Sequence, residues 1–138
     1  MLMQTGGIDN KMANLSFYHK IALDVVKIGS NIFNRNIARY NHPENNIGRE
    51  VKIVADRKLN ELLVGELKKK SSFNIISEEK TKNIIKENEY NWILDPLDGS
   101  FNYMRGIPLY CISLGLWKGF DPVLGVIYDL ANNDTYHG

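Results

Sequence analysis

Residues 92–100 read WILDPLDGS, and this stretch carries most of the information about the fold and its chemistry. Its apolar start predicts a strand that presents Asp95 at its C-terminal end. Pro96 lacks a backbone donor, so we expect the strand to stop there. Asp98 follows, and the Gly-Ser step at 99–100 is suited to opening a short helix. Free N–H groups at a helix start face an anion, so the stretch predicts acidic side chains beside an anion-binding turn.

Two carboxylates this close in sequence repel each other unless a cation lies between them. At ~4 Å and an effective dielectric constant of ~20, the repulsion is about 4 kcal/mol. Magnesium removes that cost, since it prefers carboxylate oxygens together with backbone carbonyls. An Asp-Pro turn followed by an Asp helix cap explains the same residues without a metal. Both interpretations remain open for this stretch alone.

A second acidic pair, Glu78-Glu79, directly follows a short strand predicted over residues 73–76. Alone, such a pair is typical of a solvated surface. If the two predicted strands are neighbours in one sheet, both pairs emerge at the same edge. Four carboxylates would then meet, and such a group needs metal ions rather than one shared proton.

Asp56 lies at the start of a helix predicted over about 55–70. As a helix N-cap it needs no further function. Its functional interpretation is a carboxylate that orients or activates a hydroxyl group or a water molecule.

Hydrophobic periodicity predicts two long helices and a largely antiparallel sheet. The remaining segments are expected as follows: a flexible tail over 1–13, a helix from 15 to about 37, a polar loop over 40–50, a surface excursion over 79–91 and strands over 90–94, 110–117, 123–130 and from 135. The last strand begins just before Gly138, which predicts a sheet that continues beyond this residue.

Composition narrows the classes of function. The chain has 138 residues and a net charge of +1, which argues against a nucleic-acid binder. Its single cysteine, Cys111, excludes an internal disulfide and a cysteine-cluster zinc site, and it is expected in the core. No apolar run approaches the ~20 residues that span a bilayer, and no signal peptide is visible. We therefore expect a cytoplasmic protein.

Residues 92–100 resemble the W-x-x-D-P-x-D-G-[ST] signature of the inositol monophosphatase family, which contains magnesium-dependent, lithium-sensitive phosphatases related to fructose-1,6-bisphosphatase. Glu78-Glu79 resembles the G-E-E pair of that family, and Asp56 resembles its upstream aspartate. The likeness continues at 106–108, 112–114 and 125–128, so it covers the chain from about residue 15 onward. It implies an α+β fold, a layered α/β sandwich with two long helices on a largely antiparallel sheet.

The resemblance also implies roles for individual residues. The ligands of Mg²⁺, of which a complete site holds two or three, would be Glu78, Asp95, the Leu97 carbonyl and Asp98. The phosphate group would be bound by Asp98 and by the backbone N–H groups of Gly99 and Ser100. The catalytic residues would be Asp56 and the Ser100 hydroxyl, which activate water, and Glu79, which orients it. The reaction would be direct hydrolysis of an inositol or sugar phosphate monoester.

Several features depart from the family pattern. Ser77 stands where the family usually has glycine before the acidic pair, and Ser100 where threonine is commoner. Family members are about twice as long, and their W-D-x-A-A-G-type motif is missing here. Residues 14–138 therefore resemble the N-terminal half of the fold, with the C-terminal half absent.

We expect this truncated chain to turn over weakly or not at all. The alternatives are a non-catalytic fragment or pseudo-phosphatase with residual metal binding, and fructose 1,6-bisphosphate as substrate. The expected partner is a small-molecule phosphate ester, without nucleic acid or membrane. Family members are often homodimers.

Overall fold

The structure is a computed structural model that describes residues 6–40, 43–45, 52–80 and 82–138. Its elements, in chain order, are α1 (Gly6–Tyr40), β1 (Pro43–Asn45), β2 (Lys52–Ile53), α2 (Val54–Lys70), β3 (Asn74–Ser77), β4 (Tyr90–Asp98), α3 (Ser100–Met104), β5 (Cys111–Lys118), β6 (Asp121–Asp129) and β7 (Asp134–His137).

The main sheet has five strands in the order β3-β4-β5-β6-β7. β3 runs parallel to β4, and every other neighbouring pair in this sheet is antiparallel. Together with the two long helices, this sheet confirms the predicted α+β class with a largely antiparallel sheet. A second, two-stranded sheet pairs β1 with β2, so residues 43–45 of the predicted polar loop form a short strand.

The core lies between α1, α2 and one face of the sheet. Helix α2 presents an apolar seam of Leu59, Leu63 and Leu67, each at 1% exposure or less. Gly29 of α1 allows the closest approach, because a Cβ there would lie 2.7 Å from Leu63 Cδ2 and 3.0 Å from Ile112 Cδ1. Within the described segments, no helix has an apolar stretch of the length that a bilayer crossing requires.

Helix α1 begins earlier than its hydrophobic stripe predicts. It starts at Gly6, so the part of the predicted 1–13 tail from residue 6 onward is helical, and residues 1–5 lie outside the described residues. Once a helix is nucleated, each added residue gains a backbone hydrogen bond that roughly offsets the entropic cost of ordering it. The apolar pattern marks the packed part of the helix and not its full length.

Strand β4 does not stop at Pro96, contrary to the prediction. It continues to Asp98, and its pairing with β5 skips from Asp95↔Ser113 to Asp98↔Cys111. Proline is tolerated at such an irregularity because no ladder hydrogen bond is required of it there. Pro96 therefore bends the strand end without terminating it.

The C-terminal strands agree with the predicted hairpin. β5 and β6 pair from Cys111↔Asp129 to Lys118↔Asp121, and Gly119 takes a φ of 60° in the intervening turn. β7 then pairs with the second half of β6. Between β3 and β4, the described residues of the predicted surface excursion contain turns but no helical turn.

Trp92 offers a test of the packing around β4. Its side chain is fully buried, and its Nε1 donates a hydrogen bond of 2.8 Å to Ser71 Oγ. We expect Ser71→Ala to lower the free energy of unfolding by about 1–2 kcal/mol, because the buried indole donor loses its acceptor. Urea denaturation measures this effect, and Ser72→Ala at the exposed neighbouring position is the control. Equal midpoints for the two variants would contradict the assigned bond.

Candidate functional site

The two acidic strand ends lie side by side, as the sequence predicts. β3 and β4 are parallel, with Ser77 opposite Leu94. The Glu78 N–H continues this pairing with a bond of 3.3 Å to the Leu94 carbonyl. The next residue of each strand is therefore a carboxylate, Glu78 on one and Asp95 on the other.

The surroundings of Asp95 raise its pKa. Burial, followed by the nearby carboxylates of Glu78 and Asp98, raises the pKa of Asp95 from 3.8 to about 7. A hydrogen bond between the side chains of Asp95 and Glu78 acts in the same direction, since two carboxyl groups can share a bond only when one holds a proton. The Leu97 N–H donates to Asp95 Oδ1 at 3.2 Å and partly offsets the rise in pKa.

The Gly99 turn follows these carboxylates. Gly99 has a φ of 80° and precedes helix α3. A Cβ at this position would lie 2.5 Å from the Leu109 carbonyl oxygen, so only glycine fits. The Asn102 side-chain amide donates to the same carbonyl at 2.9 Å, and the Tyr103 N–H donates to the Gly99 carbonyl at 3.0 Å. The turn is therefore held between α3 and the segment that leads into β5.

The other predicted catalytic residues occupy neighbouring elements. Asp56 lies in the first turn of α2 and is only 8% exposed. Glu79 is half-buried in the turn after β3, and Ser100 is the half-buried first residue of α3. The structure groups Glu78, Asp95 and Asp98 electrostatically, with the Asp56 helix packed beside their strands.

The carboxylates fit a hard divalent cation by the chemistry of their oxygen donors. The described residues include no cluster of three or more His, Cys, Asp or Glu side chains already gathered as for a metal ion. Glu78 and Asp95 instead form the hydrogen bond noted above. A cation would offset the charges of Glu78 and Asp98 that act on Asp95, as the shared proton does here.

Cys111 lies beside these carboxylates and not deep in the core. Its Sγ is 3.9 Å from Asp98 Oδ2, and its side chain is partly exposed. Burial and the charges of Asp98, Asp95 and Asp129 raise the pKa of the thiol to about 11. Cys111 therefore stays protonated near neutral pH and is a poor nucleophile.

A pocket of about 340 Å³ adjoins Asp98 and Gly99, and Glu78 is not among its lining residues. Its remaining lining residues are Asn102, Leu109, Tyr110, Cys111, Ile127, Asp129 and Tyr136. A larger open pocket of about 710 Å³ runs along β5, β6 and β7 and is lined by none of the acidic residues. The smaller pocket is the one adjacent to the candidate chemistry.

Sequence reasoning missed the asparagines that support the site. Asn60 accepts a hydrogen bond from the Ser77 hydroxyl, and Asn83 bonds to both backbone groups of Ser77. In the sequence, this supporting role is indicated only by the position of Asn60 one helical turn after Asp56. Such contacts become visible only when α2 and β3 are packed together.

Comparison with known proteins agrees with this architecture. Residues 15–138 match the model of the inositol monophosphatase family. An inositol-1-monophosphatase of Mesorhizobium japonicum is 36% identical over 83 residues, which are 59% of this chain and 31% of that protein. A fructose-1,6-bisphosphatase of Pyrococcus furiosus is 29% identical over 131 residues, which are 90% of this chain and 49% of that protein.

A solved structure of staphylococcal inositol monophosphatase-1, soaked in LiCl as an inhibitory complex, shares the fold. It superposes with a TM-score of 0.79 at 23% identity, covering 89% of this chain and 47% of that one. The chain thus spans about half the length, or less, of the relatives that it matches.

Both of these curated relatives carry the names of phosphatases, a class of hydrolases. Since the family model matches most of its length, the chain belongs to the inositol monophosphatase family.

Proposed function

We propose that this chain serves the metal-dependent hydrolysis of a phosphate monoester of inositol or a sugar, of the inositol-1-phosphate phosphatase type. The observation that carries the proposal is the pairing of Glu78 with Asp95 at two parallel strand ends, with Asp98 close enough to raise the pKa of Asp95. The names of the relatives, an inositol-1-monophosphatase and a fructose-1,6-bisphosphatase, support the same class of reaction.

The proposed cofactor is Mg²⁺, with two or three ions in a complete site. The residues that would hold it are Glu78, Asp95, the Leu97 carbonyl and Asp98. When bound, such ions neutralise phosphate charge and lower the pKa of the attacking water.

The remaining roles belong to the turn and to α2. Asp98 and the backbone N–H groups of Gly99 and Ser100 bind and orient the phosphate, since the left-handed conformation of Gly99 turns the chain sharply into α3. Asp56 and the Ser100 hydroxyl form the pair that activates the water, and Glu79 orients it. The water attacks phosphorus directly, the phosphorus–oxygen bond to the alcohol breaks, and no phosphoenzyme forms.

The chain matches only part of the length of each relative, which favours a second candidate function. The chain aligns with 31% and 49% of the two curated relatives, and the family's W-D-x-A-A-G-type motif is missing from it. A chain with this partial site would bind metal and turn over weakly or not at all, as a non-catalytic fragment or pseudo-phosphatase. Fructose 1,6-bisphosphate is the alternative substrate.

The proposed partner is a small-molecule phosphate ester, in keeping with the pocket beside Asp98. We propose no nucleic-acid partner, because a net charge of +1 gives little attraction to a phosphate backbone. We further propose that the protein forms a homodimer and that it is cytoplasmic.

Phosphate release from inositol 1-phosphate with Mg²⁺ tests the proposal on the full product of the gene, and calorimetry tests Mg²⁺ binding by residues 1–138. We expect Asp98→Asn to lower both release and Mg²⁺ affinity by about tenfold or more, because one oxygen ligand loses its charge. The control is Asp134→Asn, at an exposed position in β7.

Release that is absent, or unchanged in Asp98→Asn, counts against the phosphatase proposal. Mg²⁺ binding without release supports the non-catalytic candidate.

A further inference from the structure

The Ser77 side chain is buried directly before the acidic pair. Ser77 is the last residue of β3 and is 1% exposed. Its hydroxyl donates a hydrogen bond to Asn60 Oδ1 on helix α2. A buried hydroxyl with a single acceptor has one favoured orientation, because losing that partner leaves an unsatisfied polar group.

Asn60 lies four residues after Asp56 on α2, and residues with this spacing share one face of a helix. Helix α2 packs against both β3 and β4. The hydrogen bond from Ser77 to Asn60 therefore fixes the helix that carries Asp56 against the strand that leads into Glu78.

Strand β3 needs this support because it lies at the edge of the sheet. Among the described residues β4 is its one neighbour, and the last bond of the pair, from the Glu78 N–H to the Leu94 carbonyl, is 3.3 Å long. On the open side, Asn83 accepts from the Ser77 N–H at 3.2 Å and donates to the Ser77 carbonyl at 2.6 Å. Ser77 is thus held from the helix side and along the free edge.

Glu78 lies just past the end of β3. Its side chain is exposed, and in the described part of the sheet β4 is the one strand beside it. Interactions that fix ligating carboxylates typically change metal affinity about 10–100-fold when removed. The anchor at Ser77 is placed to oppose the outward movement of Glu78.

We propose that Ser77 is a positioning residue for the metal-binding carboxylates, with Asn60 as its anchor, an inference that rests on the proposed function. The family pattern usually has glycine at this position, and glycine has no hydroxyl to donate. This chain therefore fixes Glu78 through a side-chain bond to α2 that the usual residue does not make.

Mn²⁺ affinity, measured by electron paramagnetic resonance on the 138-residue chain, tests the proposal. We expect Ser77→Ala and Asn60→Ala each to weaken Mn²⁺ binding about tenfold. The double variant should bind no more weakly than the weaker single variant, because both substitutions remove the same bond.

Ser71→Ala is the matched control, since it removes a half-buried hydroxyl that accepts a hydrogen bond from the buried Trp92, near the other end of β4. It should lower the urea midpoint while changing Mn²⁺ affinity less than about twofold. If Ser71→Ala weakens Mn²⁺ binding as much as Ser77→Ala does, the role of Ser77 is only structural and the proposal is overturned.

Hydrogen exchange of the Glu78 amide gives a readout that needs no metal. We expect faster exchange at Glu78 in Ser77→Ala and Asn60→Ala, with exchange in β5 unchanged. Unchanged exchange at Glu78 overturns the proposal. If the unsubstituted chain binds no Mn²⁺, or if Glu78→Gln leaves its affinity unchanged, the proposed metal site fails, and the exchange data alone then decide whether Ser77 holds Glu78.

Discussion

Raising the pH from 5 to 8 in the absence of divalent cations should lower the free energy of unfolding by about 1–2 kcal/mol through Asp95. The pKa of Asp95 is about 7 in the folded chain, against an ordinary value of 3.8. Between these two values the folded state keeps a proton that the unfolded state has lost. Stability from this group is therefore complete below pH 4 and is lost as the pH rises towards 7. The magnitude is reduced for solvent screening, since the side chain is only partly buried.

Asp95→Asn removes both the charge and the titration, so its stability should change less between pH 5 and 8. The same substitution should weaken Mn²⁺ binding at least about a hundredfold, because Asp95 is the central carboxylate of the three. In the unsubstituted chain, millimolar Mg²⁺ should restore stability at pH 8, since a ligand that binds only the folded state stabilises it.

Urea denaturation at a series of pH values measures this linkage. Asp121→Asn, at an exposed carboxylate in β6, is the control, and its free energy of unfolding should fall with pH as it does in the unsubstituted chain. If the free energy of unfolding of Asp95→Asn falls with pH just as steeply, another group causes the pH dependence, and the electrostatic description of the site is wrong.

Gly99→Ala should lower the free energy of unfolding by about 3 kcal/mol or more, the second large effect that we expect. Alanine at a φ of 80° is strained, and its Cβ would lie 2.5 Å from the Leu109 carbonyl oxygen and 3.2 Å from Tyr110 Cα. Neither backbone atom belongs to a flexible side chain that can turn aside. The turn must open, which also displaces the N–H groups proposed to bind phosphate.

Gly106→Ala is a close control for this substitution. Gly106 has a φ of 70°, yet a Cβ there meets nothing within 4 Å, so only backbone strain of about 1–2 kcal/mol applies. The difference between the two variants in urea denaturation isolates the cost of the close approach at Gly99. Equal losses would contradict the tight packing of the turn against Leu109.

The sequence predicts the parts of the site that depend on local pattern. Short apolar strands ending in carboxylates predict where Glu78 and Asp95 lie, and the right pairing of two strands then brings them together. The α2 seam and the β5–β6 hairpin follow from periodicity in the same way. The metal-binding roles of Glu78, Asp95, Leu97 and Asp98 remain predictions. So do the roles of Asp56, Glu79, Gly99 and Ser100 in catalysis and phosphate binding.

Other features depend on tertiary packing, and local rules cannot predict them. Pro96 was expected to stop a strand, but a pairing irregularity accommodates it. The N-terminal residues from Gly6 lack an apolar stripe, yet they extend a helix that is nucleated and packed further along the chain. The Ser77–Asn60 hydrogen bond joins residues 17 positions apart on different elements, so the sequence around either residue does not predict it.

The placement of β3 at the margin of the sheet also has a dynamic consequence. A terminal strand of four residues is where thermal fraying begins, since few bonds must break for it to detach. Each fraying event would carry Glu78 away from Asp95. If the proposed cation binds between these two carboxylates, its capture and release would then depend on how often this strand opens.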